Sequence, residues 1–373
     1  MMYRSQIATD VEKISMVQNA RTFVNDMIQI ALERVYQYYD WPYYLDYKHG
    51  VLTTVETYDT GTIEVTNGSA TVTGTTTVWT SAMVGRKIRV SNDKPYYRIK
   101  SINTVAQTLV LDNVYQGTDD SSASYEIFKD EYLLKPDVDK HKTFVQIQNS
   151  IPVLDLYPQN FDNLISVPTA YSDPNYAFVV GSGQDNYTTG TISGTGTTIT
   201  GVGTGWSPIE GLDNMSKIRV GNYWYTIKSV DSDTQITTYE TLPTITAGTS
   251  YVIPLNNIVV QLYPVPDSAR HLYYRYYRFP MPLANDYDLP DMPYDYHYLL
   301  MFGALSEVMS QKGDINKSEN LYETRFITGL ERMKLKIGNY APELIRKRMS
   351  ADSLRRSVTR ALESPNFDKR YSW

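Results

Sequence analysis

The sequence predicts an α+β fold in which a helical core, made of an N-terminal helix and a C-terminal helical hairpin, carries two inserted, repeated small all-β modules and an extended C-terminal arm. Two observations predict this fold: a long internal repeat rich in Thr, Gly and Val, and helical periodicity near both ends of the chain. With 373 residues, the chain is long enough for about two to three domains.

Composition excludes several classes of protein. The chain has no cysteine, so it has no disulfide framework and no thiolate metal site. Charged residues make up 20% and aromatic residues 13% of the chain, which is unlike a disordered protein. No apolar run reaches the ~18 residues of a membrane span, and no signal peptide is recognisable. We therefore expect a soluble protein with no membrane partner, whose net charge of −6 implies no general affinity for nucleic acid.

The first predicted element is a helix from Val17 to Tyr39. Apolar side chains recur along it with the 3.6-residue period of one helix face. Trp41-Pro42 ends the helix, because the residue before a proline is pushed away from helical dihedrals. An aromatic cluster follows at the helix exit, and its Tyr43 and Tyr44 are candidate subunit-interface residues.

An internal repeat supplies the two β modules. The first copy runs from Thr60 to near Phe128, and the second from Thr189 to near Ile253. In both copies Thr, Val, Ile and Tyr alternate in short runs separated by turn residues such as Asn67-Gly68, which predicts strands joined by tight turns. Each copy has the size of a small barrel or sandwich. The matched anchors are Gly74 with Gly201, Trp79 with Trp206, Lys87–Val90 with Lys217–Val220, Ile99–Ser101 with Ile227–Ser229, and Tyr125 with Tyr251.

The C-terminal part of the predicted core is a helical hairpin. A helix after Pro293 meets Gly313, a residue type that closes helices because it accepts left-handed dihedrals. A second helix from about Ile315 to Ile337 follows after a short turn. We divide the chain into six segments: 1–58 (helix and aromatic exit), 59–128 (β module 1), 129–185 (core middle segment), 186–254 (β module 2), 255–342 (core strands and helical hairpin) and 343–373 (basic arm).

Motifs for catalysis, cofactors and metals are missing from the sequence. The four histidines form neither a His-x-x-x-His nor a His-Glu-x-x-His pattern. The glycines of Gly194–Gly205 lie inside a strand repeat and lack the Lys-Ser/Thr of a phosphate loop. Acidic groups near Asp119, Asp231 and Asp286 fit turns and caps. The sequence predicts a protein that is not an enzyme and has no cofactor, although a glycosidase with two distant carboxylates stays open.

A tyrosine-rich strand near residue 275 has two interpretations. Tyrosines and arginines alternate there, and such a surface can stack with the bases of single-stranded nucleic acid. Alternatively, every second tyrosine fills a core face while the others lie at a subunit interface, where Tyr and Arg are enriched. The candidate interface residues are Tyr273, Tyr274, Tyr276 and Tyr277, next to Arg270, Arg275 and Arg278.

The C-terminal arm, Glu343 to Trp373, is basic, with eight Lys/Arg against four Asp/Glu. Its cations can lie against DNA phosphates or against an acidic patch on a protein. A solvated tail without a role is the third option, which the three aromatic residues near the end disfavour. The candidate partner-contact residues are Arg346, Lys347, Arg348, Arg355, Arg356, Phe367, Tyr371 and Trp373.

A series of short motifs along the chain resembles one known family. The motifs are the Trp41-Pro42 helix exit, Asp130-x-Tyr132-x-Leu134-x-Pro136-x-Val138, Pro158-Gln-Asn-Phe161-Asp162, Asp173-Pro174-Asn175-Tyr176, Leu289-Pro290 and Gly303-Ala304. Together they resemble the adaptor, or head-to-tail connector, proteins of tailed bacteriophages. The β repeat is also similar to modules common in phage virion proteins, although smaller members of the adaptor family lack such modules.

The resemblance implies a helical adaptor core with a β part, repeated as a ring, commonly a dodecamer, below the portal. It implies a structural virion protein that connects the portal to the tail and continues the DNA channel for genome retention and ejection. The implied partners are other copies of the chain, the portal protein through the C-terminal arm, a tail nozzle or tube protein, and tail fibres. Double-stranded DNA would pass without specific binding, and assembly in the host cytoplasm would place the protein in the virion neck.

Two other functions stay open at this point. The protein could be a tail or fibre-anchoring component that holds another protein through its β modules. It could also be a carbohydrate-binding or depolymerising protein whose tyrosines stack on sugars.

Overall fold

The computed structural model of the chain describes residues 2–17, 20–46, 50–90, 95–146, 152–157, 159–160, 170–183, 185–207 and 209–337. The chain forms two compact units, one of Met1–Leu45 with Phe279–Trp373 and the other of Asp46–Arg278. We call the first the helical unit and the second the β unit.

In the helical unit, N-terminal helices pack with a C-terminal helical hairpin. Their bounds are α1 (Arg4–Ser15), α2 (Arg21–Tyr38), α3 (Tyr298–Gln311), α4 (Ile315–Asn320), a π-helical segment (Leu321–Ile327) and α5 (Thr328–Ile337), with 3-10 turns at Pro42–Tyr44 and Tyr294–Tyr296. A Cβ added to Gly303 of α3 would lie 2.9 Å from the Cβ of Ala31 in α2, so these helices cross at close range. Gly313 has a φ of +81° and closes α3 as predicted from its residue type.

The described part of the chain is mostly β, with twenty strands in three sheets. The strands are β1 (Gly50–Thr53), β2 (Thr62–Val65), β3 (Thr71–Thr75), β4 (Lys87–Val90), β5 (Tyr96–Asn103), β6 (Thr108–Leu111), β7 (Asp120–Ala123), β8 (Tyr125–Phe128), β9 (Glu131–Leu133), β10 (Val138–Gln146), β11 (Pro152–Asp155), β12 (Tyr176–Ser182), β13 (Asp185–Tyr187), β14 (Thr191–Val202), β15 (Lys217–Val220), β16 (Tyr223–Ser232), β17 (Gln235–Thr249), β18 (Tyr251–Leu255), β19 (Ile258–Tyr263) and β20 (His271–Arg278).

The predicted α+β fold class, a helical adaptor core with small inserted β modules, is wrong. Strands from outside the repeat copies build a seven-stranded sheet of their own, in the order β1-β20-β10-β11-β12-β19-β9. We call it the connecting sheet; its pairs are antiparallel except β11 with β12. Pairs such as Val51 with Tyr273 join residues far apart in the chain, and such pairing leaves little local signal in a sequence. The β structure therefore dominates the chain instead of decorating a helical core.

Each repeat copy forms a sheet of its own within the β unit. The first β module has the strand order β7-β2-β3-β6-β5-β4-β8, and the second has β13-β18-β15-β16-β17-β14. Each module encloses a separate cluster of buried apolar side chains. The division of the whole chain into six segments stays a prediction.

The Gly and Trp anchors of the repeat have the same packing in both modules. Trp79 is buried and donates its Nε1–H to the Tyr125 hydroxyl at 3.0 Å. A Cβ added to Gly74 would lie 2.9 Å from an atom of that indole ring. The second module repeats this arrangement. Trp206 donates its Nε1–H to the Tyr251 hydroxyl at 2.9 Å, and a Cβ added to Gly201 would lie 2.8 Å from an atom of the Trp206 ring. The spacing of Gly and Trp is therefore a packing requirement of the module.

Candidate interaction surfaces

The tyrosine-rich strand of the sequence is β20, which lies between β1 and β10 in the connecting sheet. Its side chains alternate in exposure: Tyr274 and Tyr276 are buried, Tyr273 is 38% exposed and Tyr277 is half-buried. This alternation is the period of two that a strand imposes on its side chains. Tyr273 and Tyr277 are therefore the candidates on this strand that offer surface to another molecule.

The two buried tyrosines bind the segment that follows β9. The Tyr274 hydroxyl accepts a hydrogen bond from the Lys135 N–H at 3.1 Å, and the Tyr276 hydroxyl donates to the Asp137 carboxylate at 2.9 Å. Burial raises the pKa of Tyr276, and the nearby carboxylates raise it further. Burial also raises the pKa of Asp137, although the hydrogen bond from Tyr276 opposes this. These hydroxyl groups serve the internal structure of the β unit.

The outer face of β20 combines aromatic, basic and aliphatic side chains. Tyr273 lies opposite Val51 of the edge strand β1, and Val51 is 45% exposed. The Lys142 ammonium lies 4.6 Å from the centre of the Tyr277 ring, a cation–π contact. Arg275 is exposed on the same strand. Tyr and Arg are enriched in protein interfaces, so this face is a candidate interaction surface.

The aromatic cluster after α2 is a packed group of rings in the helical unit. Trp41 is fully buried, and its Nε1–H donates to the Val35 carbonyl at 2.6 Å. Tyr44 is also buried, with ring centres 4.5 Å from Tyr43 and 5.1 Å from Tyr36. Burial raises the pKa of Tyr43. Of the two predicted interface tyrosines here, Tyr43 reaches the surface, where it lines an open groove of about 500 Å³.

The candidates of the C-terminal arm lie outside the described residues, so contact with a partner through them stays a prediction. They are Arg346, Lys347, Arg348, Arg355, Arg356, Phe367, Tyr371 and Trp373.

A buried ion-pair network, which we did not predict from the sequence, joins the first β module to the connecting sheet. Lys87 is 5% exposed, and its Nζ lies 2.9 Å from Asp130 and 2.7 Å from Glu131. Gln261 donates to Asp130 at 2.7 Å, and Arg98 pairs with Glu131. Burial opposes the charge of Lys87, but the two carboxylates outweigh it and raise the pKa of Lys87. Burial likewise opposes the charge of Glu131, but the two cations lower the pKa of Glu131.

Polar contacts also attach the second β module to the connecting sheet. The Asn257 side-chain amide donates to the carbonyl groups of Leu134 at 2.7 Å and Gly211 at 2.8 Å. The Glu210 carboxylate accepts a hydrogen bond from the Leu133 N–H at 3.0 Å. Both modules are thus held on one sheet by side chains that lie far apart in the sequence.

Two kinds of feature are missing from the part of the chain that the structure describes. It holds no group of three or more His, Asp or Glu side chains arranged to bind a metal ion. None of its helices is long and apolar enough to cross a lipid bilayer.

The candidate sites of the described residues are the outer face of β20 and the groove beside Tyr43. Residues 185–349 match the family model described as SU10 adaptor protein, which is phage-related. The matched range contains the second β module, β19, β20 and the helices α3 to α5, and it is just under half of the chain. No curated protein matches the chain.

The match supports a phage adaptor-type family, in agreement with the motif resemblance. Such a family consists of structural proteins and is not a family of enzymes. Proteins of such a family are found in the virion and contact other virion proteins.

Proposed function

We propose that this protein is a head-to-tail connector, a structural virion protein that forms a dodecameric ring, joins the portal to the tail and continues the DNA channel. The observation that carries the proposal is the adaptor family match over residues 185–349. The motif series supports the same family from outside that range, through Trp41-Pro42 and the phrase from Asp130 to Val138. In this function the chain retains and releases the genome without catalysing a reaction.

In the proposed ring, the outer face of β20 contacts the neighbouring subunit. Tyr273 and Tyr277 supply rigid aromatic area with a polar end, and Arg275 supplies a charge-assisted donor. This combination is common among the residues that dominate interface energies. Tyr43, beside its groove in the helical unit, is a second contact candidate through its aromatic ring alone, because its hydroxyl oxygen is buried.

The basic arm binds the portal in this proposal. The arm has eight basic and four acidic residues, whereas the whole chain has a net charge of −6, so the rest of the chain is more acidic than the whole. An acidic body is suited to a DNA channel, because it repels phosphate and lets the duplex slide. An arm of opposite charge is suited to an acidic site on a partner.

Charge reversal in the arm tests the contact with the portal. We expect the full-length R346E/K347E/R348E variant to bind purified portal rings at least tenfold more weakly than the wild type, with the loss largest at low salt. The matched control is K100E/K228E/R332E, which changes the charge equally at three exposed positions elsewhere. Co-sedimentation or biolayer interferometry measures both. Unchanged portal binding by the arm variant, or an equal loss in the control, would contradict the proposed contact.

A further inference from the structure

The two β modules place equivalent strands in different surroundings. The outer strands are β4, β5 and β8 in the first module, and β15, β16 and β18 in the second, and they pair in the same way. Their outer surfaces carry equivalent basic and aromatic residues: Lys87, Arg89 and Tyr96 in the first module, and Lys217, Arg219 and Trp224 in the second.

In the first module the chain itself covers the two basic side chains of this surface, whereas Tyr96 is 54% exposed. The side chain of Lys87 is 6% exposed and that of Arg89 is 16% exposed. Arg89 pairs with Glu126 at 2.6 Å and lies 5.5 Å from the centre of the Tyr171 ring. The Tyr171 hydroxyl donates to the same Glu126 carboxylate at 2.6 Å. Carboxylates and an aromatic ring therefore satisfy the basic surface, together with the acidic pair that contacts Lys87.

In the second module the equivalent surface is open. Trp224 is 52% exposed and its neighbour Tyr223 is 69% exposed. Lys217 and Arg219 are exposed as well. Val252 lies opposite Arg219, at the position where the first module has its glutamate. Among the described residues no carboxylate pairs with Arg219, whose guanidinium instead lies 5.8 Å from the centre of the Trp224 ring.

We propose that this open surface of the second β module binds an acidic polypeptide segment of a partner protein, one that carries an aromatic residue beside its carboxylates. Charge complementarity identifies this occupant, because the same surface of the first module is covered by carboxylates and a tyrosine. An exposed Trp stacked with an Arg holds both side chains ready for a partner, and both residue types are enriched among binding hot spots. Binding of an acidic peptide is independent of the proposed ring; only the identification of the partner as a virion protein rests on the proposed function.

The first module supplies a probe for the test. The probe is a fluorescein-labelled synthetic peptide with residues 124–131 of this chain, which contains Glu126, Asp130 and Glu131 beside two aromatic residues and only one lysine. Its binding to the full-length protein is followed by fluorescence anisotropy. Within the chain, the equivalent segment meets the first module at an effective concentration of about 1 mM. A contact that forms at this concentration needs a Kd no higher than about 1 mM, so we expect the free peptide to saturate the protein below it. We expect R219E to weaken binding at least tenfold.

Two controls make the test specific. K228E changes the charge equally at an exposed position on the neighbouring strand, β16, and should alter the affinity less than twofold. A peptide with Asn and Gln in place of its three carboxylates should bind at least tenfold more weakly. R219E should keep the circular dichroism spectrum of the wild type, because Arg219 is exposed.

Several results would overturn the inference. They are absence of saturable binding up to 1 mM, equal losses in K228E and R219E, and equal binding of the neutral peptide. Self-association of the wild type that R219E abolishes would also overturn it, since the occupant would then be a second copy of this chain. Portal binding by the wild-type protein separates the two proposals: peptide binding without portal binding would contradict the proposed function alone.

Discussion

Replacing Lys87 by methionine removes the cation that lies between Asp130 and Glu131 in the buried network. The side chains of Lys87 and Asp130 are 6% and 8% exposed, so the variant leaves a buried carboxylate without its counter-ion. Removing one partner of a buried ion pair costs about 3–5 kcal/mol of unfolding free energy. Gln261 still donates to Asp130 and Arg98 still pairs with Glu131, so we expect the lower end, ~3 kcal/mol.

The internal repeat provides a matched control for this variant. Lys217 occupies the equivalent position in the second module, but it is exposed and donates to the Thr226 hydroxyl at 2.6 Å. We expect K217M to change the free energy of unfolding by less than ~0.5 kcal/mol. Urea unfolding followed by circular dichroism measures both variants. Hydrogen exchange of β4 and β8 reports the first module alone. Equal stability of K87M and K217M would refute the reasoning.

The same network predicts a pH window for the K87M effect. The pKa of Glu131 is lowered in the folded state, so its stabilisation exists above the unfolded-state pKa and is lost as the pH falls through the folded-state value. The pKa of Lys87 is raised, so its stabilisation exists below the unfolded-state pKa and is lost as the pH rises through the folded-state value. The difference between wild type and K87M should be largest between about pH 5 and pH 10 and shrink at about pH 3. A constant difference from pH 7 to pH 3 would contradict this.

Two other substitutions test the packing and the buried carboxylate of the β unit. Gly201→Ala places a Cβ against the Thr204 side chain and 2.8 Å from a Trp206 ring atom, and it should lower the free energy of unfolding by about 1–3 kcal/mol in urea titrations. Gly205→Ala, whose nearest atom is 3.8 Å away, should have a much smaller effect, and equal effects would refute the packing argument. The pKa of Asp137 is raised, so its charge opposes folding as the pH rises above the unfolded-state pKa. The free energy of unfolding of D137N minus that of the wild type, from urea titrations, should therefore be more positive at pH 7 than at pH 3. An equal difference at both pH values would contradict the burial argument.

The local parts of the fold could be predicted from the sequence because their signals are local. Trp79 and Trp206 mark the same packing in two copies of one module, and their match along the chain needs no knowledge of distant contacts. The alternation of Tyr273 to Tyr277 similarly follows from the geometry of a single strand.

The connecting sheet could not be predicted in this way. Its strands come from before, between and after the repeat copies, and β1 pairs with β20 across more than two hundred residues. The local pattern indicates the strands β19 and β20, but it does not show the distant partners with which they form a seven-stranded sheet. The helix α1 was missed too, because the apolar residues of its buried face, Ile7, Ala8 and Val11, span little more than one turn and the next buried residue is Ser15.

The candidate surfaces were predicted in part. The tyrosine-rich strand was identified, but its sequence does not show which face meets the core, and the structure buries Tyr274 and Tyr276. The ion pairs of Lys87 were missed because their partners follow the repeat copy and lie on a different sheet. The difference in exposure between the two modules was missed for the same reason, since equivalent sequences do not reveal unequal surroundings.

The mass of the assembled protein tests the central claim most directly. Mass photometry or native mass spectrometry of the full chain, mixed with purified portal protein, measures the number of copies in the complex. The proposed function predicts a closed ring of about twelve 42.6 kDa chains bound to the portal. A chain that stays at 42.6 kDa in the presence of the portal would contradict it.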